Sequence, residues 1–237
     1  MIPLIYDQMY KFGTGDKFLL SIIHTLQIHH LADLGCGTGR LTSYLNTKGY
    51  EITAIDPDND AIDVAKNKGL TNVQWLVGDS RLLQENTYDT VIMTANVAQV
   101  FLTDESWAKT LSDIHQALQP NGSLIFDCRN LHAKEWENWM EDETPDYTNH
   151  PYTGEKLTII SSYEGMEDDI FTFYETVQYC DSGELITRRK HQIRFRTLKD
   201  IEGSLTRAGF TIKSCYGDYQ DKQANDDSVS FVFHCMK

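Results

Sequence analysis

At 237 residues, with 35 acidic against 21 basic side chains and a formal net charge of -14, the chain holds one sizeable core, or one core plus an insert. That charge argues against a broad nucleic-acid surface, because phosphate neutralisation needs clustered Lys and Arg. No apolar run approaches a membrane span, the N-terminus lacks the basic flank and apolar segment of a secretion signal, and no membrane partner is expected. The five cysteines, Cys36, Cys128, Cys180, Cys215 and Cys235, are odd in number and scattered. Neither C-x-x-C nor H-E-x-x-H occurs, so no disulfide framework and no metal site are expected, and a reducing, cytoplasmic setting fits.

From the start, Tyr6, Met9 and Tyr10 share one helical face, and "KFGTGD" reads as a loop. Asp16 suits the cap of a second helix carrying Phe18, Leu19, Ile22, Ile23 and Leu26. The stretch "LADLGCGTGR", residues 31–40, follows as a short apolar strand that breaks into glycines and then into a helical pattern. Gly35, Gly37 and Gly39 let the backbone turn tightly and approach a bound molecule closely. Between a strand and a helix N-terminus, such a turn offers free N–H groups and the positive end of a dipole. A dinucleotide fingerprint would place its third glycine one position later, and a phosphate loop needs Gly-Lys before Ser or Thr.

The D-x-G-x-G-x-G string instead resembles motif I of the class I methyltransferases that use S-adenosylmethionine (SAM). That resemblance implies cofactor contacts from Asp33, Gly35, Cys36, Gly37 and Gly39. It also implies that the first 29 residues form a helical cap across the cofactor mouth, with Tyr6 and Tyr10 either touching ligand or packing on the helix.

Next, "YEITAID" is a second strand with Asp56 at its carboxyl end, where an acid can accept both hydroxyls of a ribose. Pro57 sets φ for entry into the following helix, and Asp58 and Asn59 are better placed than Asp56 to cap it. "NVQWLVGDS" is a third strand; by resemblance, Asp79 accepts the adenine amino group and the Ser80 backbone contacts the ring. "YDTVIMTA" is a fourth, leaving at Asn96. "TANVAQVF" resembles the stretch beneath the sulfonium in small-molecule methyltransferases of the glycine and sarcosine type. It does not resemble the N-P-P-Y form. A helix with Trp107, Leu111, Ile114 and Leu118 on one face and a Pro120-Asn121-Gly122 turn lead to the fifth strand, "SLIFDC".

The strand–helix alternation stops at Arg129. An acidic, aromatic-rich connection follows, helical around Trp136 and Trp139, then three strand-like runs starting at Lys156, Ile170 and Glu184. These read as an antiparallel meander that lids the substrate pocket, forms a homodimer surface, or does both. "TLKDIEGSLTRAGF" resumes the core, and two strands close it. The expected fold is α/β, a doubly wound, mostly parallel seven-stranded Rossmann-like sheet with an inserted antiparallel meander. Residues 1–130 and 197–237 make the SAM-binding core, and residues 131–196 the insert.

The function implied by the resemblance is SAM-dependent methyl transfer to a nitrogen or oxygen of a small-molecule acceptor. Methyl transfer leaves no obligatory catalytic residue to look for, so a SAM-binding sensor without turnover stays open, as does a nicotinamide-dependent oxidoreductase. Tyr10, His132, His191, Arg194 and Arg196 are the catalytic or substrate candidates by position. His191 falls on the opposite strand face from Arg194 and Arg196. In so acidic a chain a salt-bridged surface is the better reading of both arginines, and Arg196, nearest the core junction, is the preferred candidate for a substrate anion.

Overall fold

The computed structural model describes every residue from 1 to 237. Two helices, α1 (Ile2–Met9) and α2 (Thr14–Ile23), precede the alternating part of the chain. There β1 (His30–Leu34), α3 (Arg40–Asn46), β2 (Glu51–Asp56), α4 (Asn59–Lys66), β3 (Val73–Val77) and β4 (Tyr88–Met93) follow in turn. Helix α5 (Asp104–Ala117) leads to β5 (Leu118–Arg129). The insert holds α6 (Glu135–Glu141), β6 (Asp146–Asn149), β7 (Lys156–Glu167), β8 (Ile170–Tyr179) and β9 (Leu185–Arg194). The chain returns to the core through α7 (Leu198–Arg207), β10 (Thr211–Gly217) and β11 (Ser230–Met236).

The central sheet has the order β10-β11-β5-β4-β1-β2-β3. Strands β1 to β5 run parallel, and β11 is antiparallel to both its neighbours. Both faces are covered, so its strands are nearly continuous apolar runs whose alternate residues feed two cores. Ala32, Phe126 and Phe233 point to the side of α5 and α7. Leu31, Ile125 and Val232 point to the side of α2 and α3. Side-chain caps start the helices where the sequence supplies them: Asp58 accepts from Asp60 and Ala61 N–H, Thr103 from Ser106, and Thr197 from Asp200. Asp16 lies inside the first turn of α2, not at its cap position, and accepts from Gly13 N–H at 2.8 Å.

The insert forms a separate antiparallel sheet of four strands, β6-β7-β8-β9, one more than the three expected. The extra strand, "DYTN", is short and mostly exposed, so no apolar alternation announces it. The β7–β8 hairpin turns through Asp168 and Asp169 at φ of 49° and 63°, the paired left-handed residues of a two-residue hairpin loop. Chain reversal immediately after β5 and again before α7 lays this sheet across the carboxyl end of the core strands. No helix is long and apolar enough to cross a membrane.

Phe126, fully buried at the centre of β5, stacks on Phe233 of β11 at 5.0 Å between ring centroids. Phe126→Ala is expected to destabilise the core by about 3–5 kcal/mol through lost burial and a residual cavity. Urea unfolding checks this; a loss under about 1 kcal/mol would show that the site collapses around the gap.

Candidate functional site

β1 and β4 are adjacent, and the chain leaves them toward opposite sides of the sheet, which opens a crevice at their carboxyl ends. The glycine turn after β1 forms one wall. Gly35 and Cys36 N–H donate to Ile55 O at 2.7 and 3.1 Å, which fastens the turn to β2. A Cβ on Gly35 would lie 2.6 Å from Val97 Cγ2, so only glycine allows this approach to the loop after β4. Gly37, at φ +54°, is different: a Cβ there would meet nothing within 4 Å. That position faces open space. Its N–H donates to Asp56 Oδ2 at 2.8 Å, and Asp58 N–H donates to Asp56 Oδ1 at 2.8 Å. Both carboxylate oxygens are thereby oriented, and each keeps lone-pair capacity for a ligand. Burial raises the Asp56 pKa; the two N–H donors oppose the shift.

Asp33, buried near the end of β1, and Cys36, half-buried in the turn, lie behind this wall. Thr42 Oγ1 donates to Asp33 Oδ2 at 2.6 Å, while Asp33 Oδ1 has no hydrogen-bond partner. Burial pushes the Asp33 carboxyl up to about 6, against the lowering effect of Thr42 and with a further push from Asp56. Burial, then Asp33 and Asp56, raise the Cys36 thiol far above its ordinary value, so it is no nucleophile.

Across the crevice, Ala95 and Asn96 both adopt left-handed φ, 61° and 66°, a strained pair for non-glycine residues. Asn96 N–H donates to Asp127 Oδ1 at 3.1 Å, Tyr219 hydroxyl donates to Asp127 Oδ2 at 2.5 Å, and Asn96 Oδ1 is buried without a partner. The Asp127–Tyr219 support is absent from the sequence reading. Its signal was an acid inside the otherwise apolar "SLIFDC" strand; Tyr219, from a loop 92 positions on, gave none.

At the end of β3, Asp79 is forked by its neighbour Arg81, with Nε–Oδ1 at 2.8 Å and Nη2–Oδ2 at 2.7 Å. That pairing holds the Asp79 carboxyl below the usual range. The Arg81 side chain is 75% exposed, so it can swing aside for a ligand. Ser80 is buried, its hydroxyl donating to Asp113. Pro57 carries the chain from Asp56 to the Asp58 cap.

Two layers close over this wall. From α1, Asp7 accepts from Thr38 Oγ1 and from Lys68 Nζ, each at 2.6 Å. From the insert, Arg189 of β9 pairs with Asp58 at 2.6 Å. Farther along β9, Arg194 pairs with Asp104 at 2.8 Å and donates to Leu102 O. Strand β9 thus spans the crevice from the loop after β2 to the loop after β4. The basic run "RRKHQIRFR" is divided by strand alternation: Arg189 and His191 face inward, whereas Arg188 lies over the outward Tyr174 ring and Lys190 pairs with Glu164.

The expected catalytic candidates fare differently. Tyr10 is brought to the inner face of the lid, its hydroxyl 3.5 Å from Glu175 Oε1. His132 sits exposed on a short turn in which its N–H donates to Asn130 Oδ1, and it does not reach the crevice. Arg196 is a correction. It is buried beside Trp107 and donates to the carbonyls of Ala98 and Phe101, so its guanidinium braces the loop after β4 and is not free for a substrate anion. Glu175, which also lies 2.8 Å from His191 Nε2, is a site residue that sequence reasoning missed. It is one polar position among several in its strand.

Residues 31–122 match a family model described as a methyltransferase domain. The chain is 22% identical over 240 residues to YqeM of Bacillus subtilis (strain 168), a protein named as a methyltransferase, and the match spans 98% of this chain and 94% of that one. Its structure is similar to that of an S-adenosylmethionine-dependent methyltransferase from Clostridium acetobutylicum ATCC 824 (TM-score 0.77, 19% identity, 98% and 96% of the two chains). It is also similar to the sugar N-methyltransferase KedS8 from Streptoalloteichus sp ATCC 53650 (TM-score 0.76, 14% identity, 98% and 92% of the two chains). The fold shared with both structures is the Rossmann-like methyltransferase sheet with a small antiparallel sheet added.

Asp33 has a consequence for stability. Its folded pKa of about 6 lies above the ordinary 3.8, so the folded state holds the proton more tightly than the unfolded chain. That contribution is fully present below about pH 4 and is lost as pH rises through about 6. Asp33→Asn is expected to remove this loss and to gain on the order of 2–3 kcal/mol at pH 7 relative to the parent. Urea midpoints of the two proteins from pH 4 to 7 check it; parallel profiles would place the Asp33 carboxylate in a better-solvated setting.

Proposed function

We propose that this chain is an S-adenosylmethionine-dependent methyltransferase and that it methylates the amine nitrogen of a small molecule held between the crevice and the lid sheet. In this reading the turn at Gly35, Cys36, Gly37 and Gly39 cradles the cofactor, with Asp33 bracing it from behind. Asp56 accepts the ribose hydroxyls, Pro57 holds that loop, and Asp79 and Ser80 bound the adenine. Asn96 offers its unpartnered Oδ1 from the opposite wall. The fit rests on two features, the open space at Gly37 and a carboxylate already oriented beside it.

One observation favours an amine over an anionic acceptor: the cations that wall the crevice are already paired. Arg40 is forked by Asp16 and Arg194 by Asp104, and Lys68 and Arg189 each make a single ion pair, with Asp7 and Asp58. Where the cap meets the inner face of the lid, the side chains are acidic and aromatic instead: Tyr6, Tyr10 and Glu175, with Phe173 stacked on the His191 ring. A glycine or sarcosine acceptor belongs to the amine class, but it also brings a carboxylate for which these walls keep no free cation. An amino sugar brings none, and KedS8 is named as a sugar N-methyltransferase.

The bound cofactor supplies an electrophilic methyl group. The protein's part is placement. Holding a nitrogen lone pair in line can contribute on the order of 7–11 kcal/mol, the upper range for well-oriented reactants. The lid excludes water, which leaves the nitrogen less solvated.

Supplying SAM to metabolite pools and looking for a mass gain of one methylene unit tests the acceptor class; products methylated only on oxygen would overturn the amine assignment. Asp56→Ala tests the cofactor assignment. A hydrogen bond to a charged group contributes roughly 1.5–3 kcal/mol, so affinity should fall about tenfold to a hundredfold. SAM and its demethylated product should weaken equally, because the ribose is common to both. Unchanged calorimetric affinity in a folded variant would remove Asp56 from the site.

A further inference from the structure

The inward face of β9 carries Arg189 at the loop after β2, and Arg194, farther along, embraces the loop after β4. Two inward positions lie between those anchors: Ile193 packs into the apolar cluster of Trp136, Phe171 and Phe195, which leaves His191 as the polar one. It therefore stands over the stretch of crevice between the ends of β2 and β4, where β1 delivers the glycine turn. His191 stacks on Phe173 at 4.9 Å and 19°, which fixes the plane of its ring. Its Nε2 is buried 2.8 Å from Glu175 Oε2, an approach off the N–H direction that makes a close charge contact, not an aligned hydrogen bond. The side chain is nevertheless 30% exposed, against 16% for Glu175. That exposure lies away from Nε2, on the part of the ring not turned to Glu175. The other titratable or charged groups around the pair are Tyr6 and Tyr10 of α1, Arg189 of the same strand, and Asp58 of the loop that Arg189 reaches.

From this geometry, and resting on the cofactor and amine reading above, we infer that His191 is the group that takes the proton from the acceptor nitrogen, with Glu175 as its positioning residue. The nitrogen lone pair forms the new N–C bond as the S–C bond breaks with its electron pair left on sulfur. Positive charge passes to nitrogen, an N–H proton moves to the imidazole, and the imidazolium is stabilised by Glu175 until solvent takes the proton. Charge selects the order of events. A sulfonium held in the crevice would oppose a second positive charge nearby, and the uncharged thioether left after transfer would not. After transfer the sulfur is uncharged and the ring can hold the proton.

That difference gives a test independent of turnover. The His191 ring resonances of histidine-labelled protein, assigned by their absence in His191→Asn, are compared at one pH with SAM bound and with its demethylated thioether bound. They are expected to differ between the two complexes, whereas those of His132, exposed on its distant turn, should coincide. His191 resonances indifferent to which ligand is bound would overturn the assignment. On an amine acceptor found by the metabolite screen, His191→Asn should bind SAM within about twofold of the parent and lose on the order of a hundredfold in kcat. A parental kcat would also overturn it. Failure of the parent to bind SAM by calorimetry would instead sink the cofactor reading, leaving a separate signature.

Discussion

The Gly37 N–H to Asp56 hydrogen bond joins the two loops on which everything else is hung. It needs a residue at ease with a left-handed φ of +54° on one side and an acid at the end of β2 on the other. Once it is made, neighbouring residues on both loops become handles. Thr38 is gripped by Asp7 of the helical cap, and Asp58 by Arg189 of the lid. Cap, lid and crevice therefore meet within a few residues of one backbone amide. The arrangement concentrates Asp7, Asp56 and Asp58 at one place, and Lys68 and Arg189 offset that charge.

The core and the cofactor wall were legible because they depend on local signals. Strand runs buried on both faces are continuous and apolar, turns between strand and helix need glycine, and the acid ending β2 follows by spacing. The rest depends on partners far away in sequence. Glu175 reads as one more polar alternation in β8 until α1 brings Tyr10 to it from 165 positions away. Asp7 has no local mark at all. Arg196 was misread because alternation reports which face a residue occupies, not what lies opposite that face. Carbonyls of the loop after β4 lie there, and a buried guanidinium satisfies them.

Asp33, Ala95 and Asn96 form a second theme, since each is energetically unfavourable in the free protein. Asp33 keeps a buried oxygen without a donor, and Ala95 and Asn96 hold left-handed backbone. Asp33 lies near the end of β1 and the other two on the turn after β4, on the two sides of the crevice. Such costs persist where the surrounding packing over-determines the geometry, and here two large cores of 23 and 13 buried residues do so. A rigid sheet edge is the right mount for a reaction that depends on alignment.

The lid is built to the opposite specification. Beneath it lie only two small apolar clusters, of four and three buried residues. Its link to the loop after β2 is the Arg189–Asp58 pair, with side chains 35% and 31% exposed. An ion pair that solvated contributes about 0–1 kcal/mol, so opening that edge costs little. The other edge is held harder, because Arg196 is buried and braced on backbone carbonyls. The two edges of the lid are therefore anchored unequally, one through a part-solvated ion pair at the loop after β2 and the other through buried contacts to the backbone of the loop after β4.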